Sequence, residues 1–248
     1  MTTQMHLAAQ YLAAAGISFI EKKQDDSHTN LGFSIESESL FTRPLNADGV
    51  ILSLSYALFT LEWIGNNATK RLQLDGTSHA QVMQWINSMV IDSGFEKAYS
   101  YDLHYELPYQ ITDDYVFKLQ DASRLKKLIE YRKLAQLAIQ EFLKTNRFDS
   151  EIRIWPHHFD TGAFTTVDTS SGVSIGLGLA IPDSMCKDYY FYISGYRGHD
   201  GLDTNTFKSL IKGKWYNDGF KGAVLPISGI NKTDAVTFFN EALIAYTN

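Results

Sequence analysis

Cysteine is almost missing from this chain. Its 248 residues contain one, Cys186. A single thiol excludes an internal disulfide and a Cys-rich zinc site. No His-Asn partner motif surrounds it, so it reads as a bystander rather than a nucleophile. Long apolar runs are missing too. No stretch of about 18 apolar residues exists, which argues against a membrane span. The N-terminus, Met1-Thr-Thr-Gln-Met-His6, lacks a basic region followed by an apolar core and reads as a mature start, so a cytoplasmic protein is expected. Basic residues are outnumbered: 22 Lys and Arg against 28 Asp and Glu leave a net charge of −6. Nucleic-acid binding rests on phosphate neutralisation by Lys and Arg, so no nucleic-acid partner is expected.

Familiar catalytic and cofactor motifs are also lacking. Gly176-Leu-Gly178 lies inside an expected strand without a following helix, so it is no dinucleotide fingerprint. Gly195, Gly198 and Gly201 lack the Lys-Ser/Thr of a phosphate loop. Ser170-Ser171 sits in an expected turn without a nucleophile-elbow pattern. Asp25-Asp26 and Asp113-Asp114 lie in polar segments and read as solvated. No cofactor is expected.

What is present is an ordinary globular composition, 44% apolar and 20% charged, with an internal similarity. A shift of 123 residues lays His28–Gly49 over Glu151–Gly172 without a gap. It matches Phe41 to Phe164, Thr42 to Thr165, Gly49 to Gly172, Leu54 to Leu177 and Ala57 to Ala180. A larger shift matches Leu72–Gly76 and its helix to Leu225–Gly229 and its helix. The expected fold is α+β, an internal duplication of a helix–four-stranded antiparallel sheet–helix unit in two pseudo-symmetric halves. Residues 1–94 form the first repeat, 95–120 a connecting segment, and 121–248 the second repeat, with an insertion at about 197–221.

Local patterns fill this in. Met5, Ala8, Ala9 and Leu12 suggest an amphipathic first helix that Gly16 stops. Strands are expected over Leu31–Arg43, over Val50–Leu58 and Phe59–Gly65 as one strand or two, and over Arg71–Leu74, with turns at Asn46–Gly49 and Gly65–Asn67. Ser78 and Gln81 form a capping box ahead of Val82, Ile86 and Met89. Residues 95–120 are rich in tyrosine, and Tyr115–Leu119 could be a strand. Asp121 caps a long helix to about Asn146 with the stripe Leu128, Tyr131, Ala135, Ala138 and Phe142. Its Arg124, Lys126, Lys127, Arg132 and Lys133 read as a solvated face, or else as a small patch for an anionic partner. In the second half, Ile152–Thr166, Val173–Ile181, Tyr189–Tyr196 and Gly222–Ile227 are strands, a turn spans Asp168–Gly172, and Asn231 caps a last helix carrying Ala235, Phe238, Phe239 and Ala242.

The sharpest local feature is Trp155-Pro-His-His-Phe-Asp-Thr-Gly162. On a strand, Trp155, His157 and Phe159 share one face, and His158 and Asp160 the other. The 123-residue shift matches His158 to Ile35 and so points it inward. The outward aromatic set, extended by Trp215, is an interface with the other half or in a homodimer, or an aromatic floor for a ligand. An inward His158 beside Asp160 is a satisfied core histidine, or a general base or metal ligand oriented by its carboxylate. His199 and Asp200, in the insertion, are the further candidates for such a site. Binding of a small ligand or a partner protein at this second-repeat surface is the leading expectation. A metal-dependent or His-based hydrolase using His158, Asp160, His199 and Asp200 is the alternative.

At Trp155-Pro-His-His-Phe-Asp160 the chain resembles a family of uncharacterised bacterial proteins, a domain of unknown function. Members share an aromatic-x-x-x-Phe-Asp strand, an aromatic run like Tyr189–Tyr192 and a strand–turn–strand like Leu31–Trp63. The chain departs from that pattern in its Ala-rich first helix and its two histidines. The family has no established activity, so the resemblance implies a layout and not a chemistry. At fold level the layout also resembles TATA-binding-protein-like and helix-grip folds, which serve both binding and catalysis.

Overall fold

The computed structural model describes residues 1–65, 68–168 and 172–247. Among these residues the fold is α+β, with four helices and two antiparallel sheets of five and seven strands. The chain divides into two compact units. The first comprises residues 1–130 with 154–157, and the second 131–153 with 158–248.

The first unit runs α1 (Thr2–Phe19), β1 (Gly32–Ser34), β2 (Ser39–Phe41), β3 (Ile51–Ser55), β4 (Thr60–Ile64), β5 (Thr69–Gln73) and α2 (His79–Asp92). Its strands pair in sequence order, β1-β2-β3-β4-β5. The expected single strand Leu31–Arg43 is therefore a hairpin. The box on α2 forms as expected: Gln81 N–H donates to Ser78 Oγ at 3.3 Å, and Ser78 N–H donates to Gln81 Oε1 at 2.8 Å. Helix α1 departs from expectation. Every residue from Met5 to Gly16 is buried, including His6 and Gln10, so it has no solvated face. It also runs past Gly16. A Cβ there would lie 2.7 Å from the His28 carbonyl oxygen, so glycine admits a crossing chain rather than stopping the helix.

Residues 95–120 are no free bridge; they belong to the first unit. Phe117 is buried, and Tyr99 Oη donates to the Tyr11 carbonyl at 3.1 Å. Val116 makes only an isolated bridge to Ser78 in place of the strand Tyr115–Leu119. The expected turn Gly65–Asn67 lies, at Asn66 and Asn67, outside the described residues.

The long helix α3 (Ala122–Asn146) crosses the division between Glu130 and Tyr131. Asp121 Oδ1 accepts from Ser123 N–H at 2.9 Å, the expected cap. The short β6 (Arg153–Trp155) also straddles the division, and in the first unit Ile154 exchanges both backbone hydrogen bonds with Leu31, at 2.9 and 3.0 Å. The second unit continues with β7 (Asp160–Asp168), β8 (Val173–Ala180), β9 (Tyr190–Arg197), β10 (Asp200–Gly201), β11 (Lys214–Tyr216), β12 (Gly222–Pro226) and α4 (Lys232–Thr247). The seven-stranded sheet has the order β11-β12-β9-β8-β7-β6, with β10 on β9. The expected insertion thus contributes two strands. Asn231 and Asp234 form a reciprocal cap on α4, at 3.0 and 3.3 Å.

Alternation decides the two faces of this sheet. Ala163, Ile175, Leu177, Leu179, Phe191, Ile193, Ala223 and Leu225 point into the core beneath Ala135, Ala138 and Phe142 of α3 and Phe238, Phe239 and Ala242 of α4. The opposite face carries Asp160 and Phe164 on β7, Gly176 and Gly178 on β8, and Tyr190, Tyr192, Ser194 and Tyr196 on β9. Thr169, Ser170 and Ser171 of the expected turn lie outside the described residues.

Candidate functional site

The segment from Trp155 to Asp160 is not a strand. Residues 156–159 form a four-residue turn between β6 and β7. Phe159, the last of them, has φ +60°, a left-handed conformation that its hairpin requires and a bulky side chain rarely adopts. Residues 35–38 and 56–59 make the same kind of turn, ending in Glu38 (φ +52°) and Phe59 (φ +52°). Glu38 therefore occupies the turn position of Phe159, 121 residues away rather than 123. Two residues of slip remove the match between Ile35 and His158. His158 is exposed on the turn and does not point inward.

The expected aromatic floor dissolves with the strand. Phe159 is buried. Trp155 and His157 are half-buried and belong to the first unit, where the His157 ring lies 5.6 Å from that of Tyr105. There His6 Nε2 and Gln10 Nε2 both donate to the Pro156 carbonyl, at 2.7 and 2.9 Å. Trp215 closes the core instead of extending a surface. Its ring packs on Phe207 and Tyr246 at 5.0 and 5.6 Å, and its indole N–H donates to the Lys208 carbonyl at 2.9 Å.

The metal alternative is not assembled either. Among the described residues no group of three or more His, Cys, Asp and Glu side chains could hold a metal ion. The topology gives the reason. Thr161, beside Asp160, pairs with Leu179, whereas Arg197 pairs with Val173 at the other end of β8. His199 and Asp200 are exposed beyond that far end. At about 3.3 Å per residue, the eight residues of β8 separate them from Asp160 by roughly 20 Å.

What the structure gathers around Asp160 is a different set. Arg132, on α3, is only 5% exposed. Its guanidinium donates to Thr161 Oγ1 and to the Phe159 carbonyl, both at 2.6 Å, and stands 4.3 Å from the centre of the Phe159 ring. The solvated-face reading of the basic cluster fails here. Arg132 lies four residues after Leu128 and three before Ala135, on the apolar stripe itself. That spacing was the signal available in the sequence.

Asp160 is 6% exposed. Tyr192 Oη donates to its Oδ2, and Oδ1 has no hydrogen-bond partner. Burial pushes the carboxyl above the usual aspartate range, against the opposing pull of the Tyr192 hydrogen bond, the His158 charge, its own backbone N–H and the Arg132 charge. The Tyr192 phenol is pushed well above its ordinary value, first by burial and then by the carboxyl. Asp160 and Tyr192 sit on strands separated by β8, and Gly178 lets them meet. A Cβ there would lie 2.8 Å from Tyr192 Oη and 2.5 Å from the Thr161 carbonyl oxygen.

Further along the same face, Phe164 is 53% exposed and its ring lies 6.0 Å from that of Tyr196. Both rings flank Gly176, 3.5 and 3.6 Å from where its Cβ would be. Beside Phe164 a groove of about 550 Å³ runs between residues 146–149 and 164–167. No helix among the described residues is long and apolar enough to cross a membrane. Comparison with known proteins finds no match: no family model, no curated protein and no solved structure is similar to this chain.

Proposed function

We propose that the protein binds a small ligand through the second unit, with a planar apolar part of the ligand resting on Phe164 and Tyr196. The observation that carries this reading is the exposed Phe164 ring beside a groove of about 550 Å³. That volume lies within the range of ordinary ligand pockets, about 300–1,000 Å³. A partner protein or a second copy of the chain could use the same surface. The proposal extends to a cytoplasmic location and to membership of the uncharacterised bacterial family that the chain resembles.

The test is a ligand-observed NMR screen of planar aromatic fragments against wild type, Phe164→Ala and Tyr196→Ala. Fragments that bind wild type and lose about tenfold or more in affinity in the variants support the reading, since a lost aromatic contact of this kind is worth about 1.4 kcal/mol or more. Binding that is equal in all three proteins rejects it. Concentration-dependent dimerisation abolished by Phe164→Ala, without fragment binding, assigns the surface to a second copy.

A second reading keeps one observation. The exposed His158 lies within electrostatic reach of a buried carboxyl whose pKa is raised. A His-based hydrolase centred on this pair would lose turnover of an activated-ester panel by about a hundredfold in His158→Gln. Unchanged background turnover in wild type and variant removes it.

A further inference from the structure

We infer that Asp160 and Tyr192 form a proton-dependent latch. With the carboxyl neutral, the pair ties the start of β7 to β9 across Gly178, and loss of the proton to solvent opens it. The inference does not depend on the ligand reading.

The geometry is that of a neutral acid. Among the described residues Tyr192 donates to Oδ2 and the buried Oδ1 has no hydrogen-bond partner. A buried carboxylate keeps its charge only when several donors surround it; with Oδ2 accepting from Tyr192 the acid proton sits on Oδ1, and leaving an ionised oxygen bare is far costlier than leaving a neutral hydroxyl bare. The groups that act on it are Tyr192 and Tyr190 on β9, His158 on the turn, its own backbone N–H, and Arg132 on α3. The Arg132 charge acts on it, and the same guanidinium donates to the Phe159 carbonyl and Thr161 Oγ1. Tyr190 donates instead to Asp183 at 2.6 Å. Burial raises the Asp160 pKa in the same direction that the bare oxygen demands.

The latch also explains the glycine. Tyr192 crosses a whole strand to reach β7, and no side chain fits beneath its ring at position 178. When the carboxyl ionises, Oδ1 needs water, and the exposed residue beside it in sequence is His158. Opening therefore begins at Phe159–Thr161, the residues that Arg132 also holds.

The experiment is a carbon-13 NMR titration of the Asp160 carboxyl in the full chain, with Tyr192→Phe and Asp160→Asn alongside. In wild type the midpoint should lie above that of an unstructured aspartate. In Tyr192→Phe it should move higher still, because the hydrogen bond that favours the charged form is gone. Amide exchange at Phe159–Thr161 should accelerate above the midpoint in wild type relative to Asp160→Asn at the same pH, a comparison that cancels intrinsic exchange. A wild-type midpoint in the ordinary aspartate range overturns the latch. So does a midpoint unmoved by Tyr192→Phe, or exchange that tracks Asp160→Asn at every pH. Should Asp160→Asn fail to fold, the two carboxyl titrations decide alone.

Discussion

Arg132 shows how one side chain can hold a turn that its own sequence disfavours. Phe159 must adopt a left-handed backbone, which costs about 1–2 kcal/mol for a residue with a Cβ. The guanidinium offsets this through the Phe159 carbonyl, through Thr161 Oγ1 and through the face of the Phe159 ring. Charged hydrogen bonds of this kind contribute about 1.5–3 kcal/mol each, and removing the donor leaves a buried carbonyl unsatisfied. Arg132→Ala should therefore destabilise the protein by about 3 kcal/mol or more in urea unfolding. Lys126→Ala, an exposed position on the same helix, should change it by less than about 0.5 kcal/mol. Equal effects would return Arg132 to the role of a surface cation. The sequence marked Arg132 by its place on the stripe, but charge alone argued for solvent.

The elements differ in how much of them was readable. The stripe of α3, the caps at Ser78, Asp121 and Asn231, and the alternation of β8 follow from local chemistry, and the structure has them. Helix α1 does not follow, because an Ala-rich helix can be buried on every side when other elements cover it. The turns at 35–38 and 156–159 were missed for a related reason. Each ends in a residue that sequence statistics place in strands or helices, while its hairpin needs a left-handed backbone.

The end of α3 offers a test at this scale. Phe148 N–H bonds the Leu143 carbonyl at 2.9 Å, Arg147 N–H bonds the Lys144 carbonyl at 3.2 Å, and Arg147 sits at φ +58°. This is the helix-ending motif that glycine ordinarily occupies. Arg147→Gly should raise stability by about 1 kcal/mol. A loss of stability would mean that the Arg147 side chain holds the groove wall.

At the scale of the whole molecule, pH acts on the two units in opposite senses. In the first unit, burial lowers the pKa of His28 and His79. The unfolded chain then takes up protons first as pH falls, so the stability these residues contribute is present above about 6.5 and is lost through the folded-state values. In the second unit, Asp160 has a raised pKa, so its contribution is present below the ordinary aspartate value and is lost as pH rises through the folded one. In Asp160→Asn, where the opposing carboxyl is gone, urea midpoints measured between about pH 7.5 and 5 should fall on acidification, and adding His79→Gln should flatten that limb. A slope unchanged in His79→Gln would take the first-unit histidine out of the account.

The sequence by itself determined the α+β class, the helices α2, α3 and α4 with their N-terminal caps, and most of the strands of both sheets, because periodicity and capping act over a few residues. It also supplied every group at the candidate site, including Asp160, Tyr192, Gly178 and Arg132. Only the tertiary structure decided their arrangement. A slip of two residues between similar hairpins sent His158 to solvent. The pairing order of β7, β8 and β9 set His199 at the far end of the sheet and placed Tyr192 within reach of Asp160. Such contacts join strands separated in sequence, so no local pattern encodes them. They follow from register, and a single-residue error in register reverses which face a side chain meets.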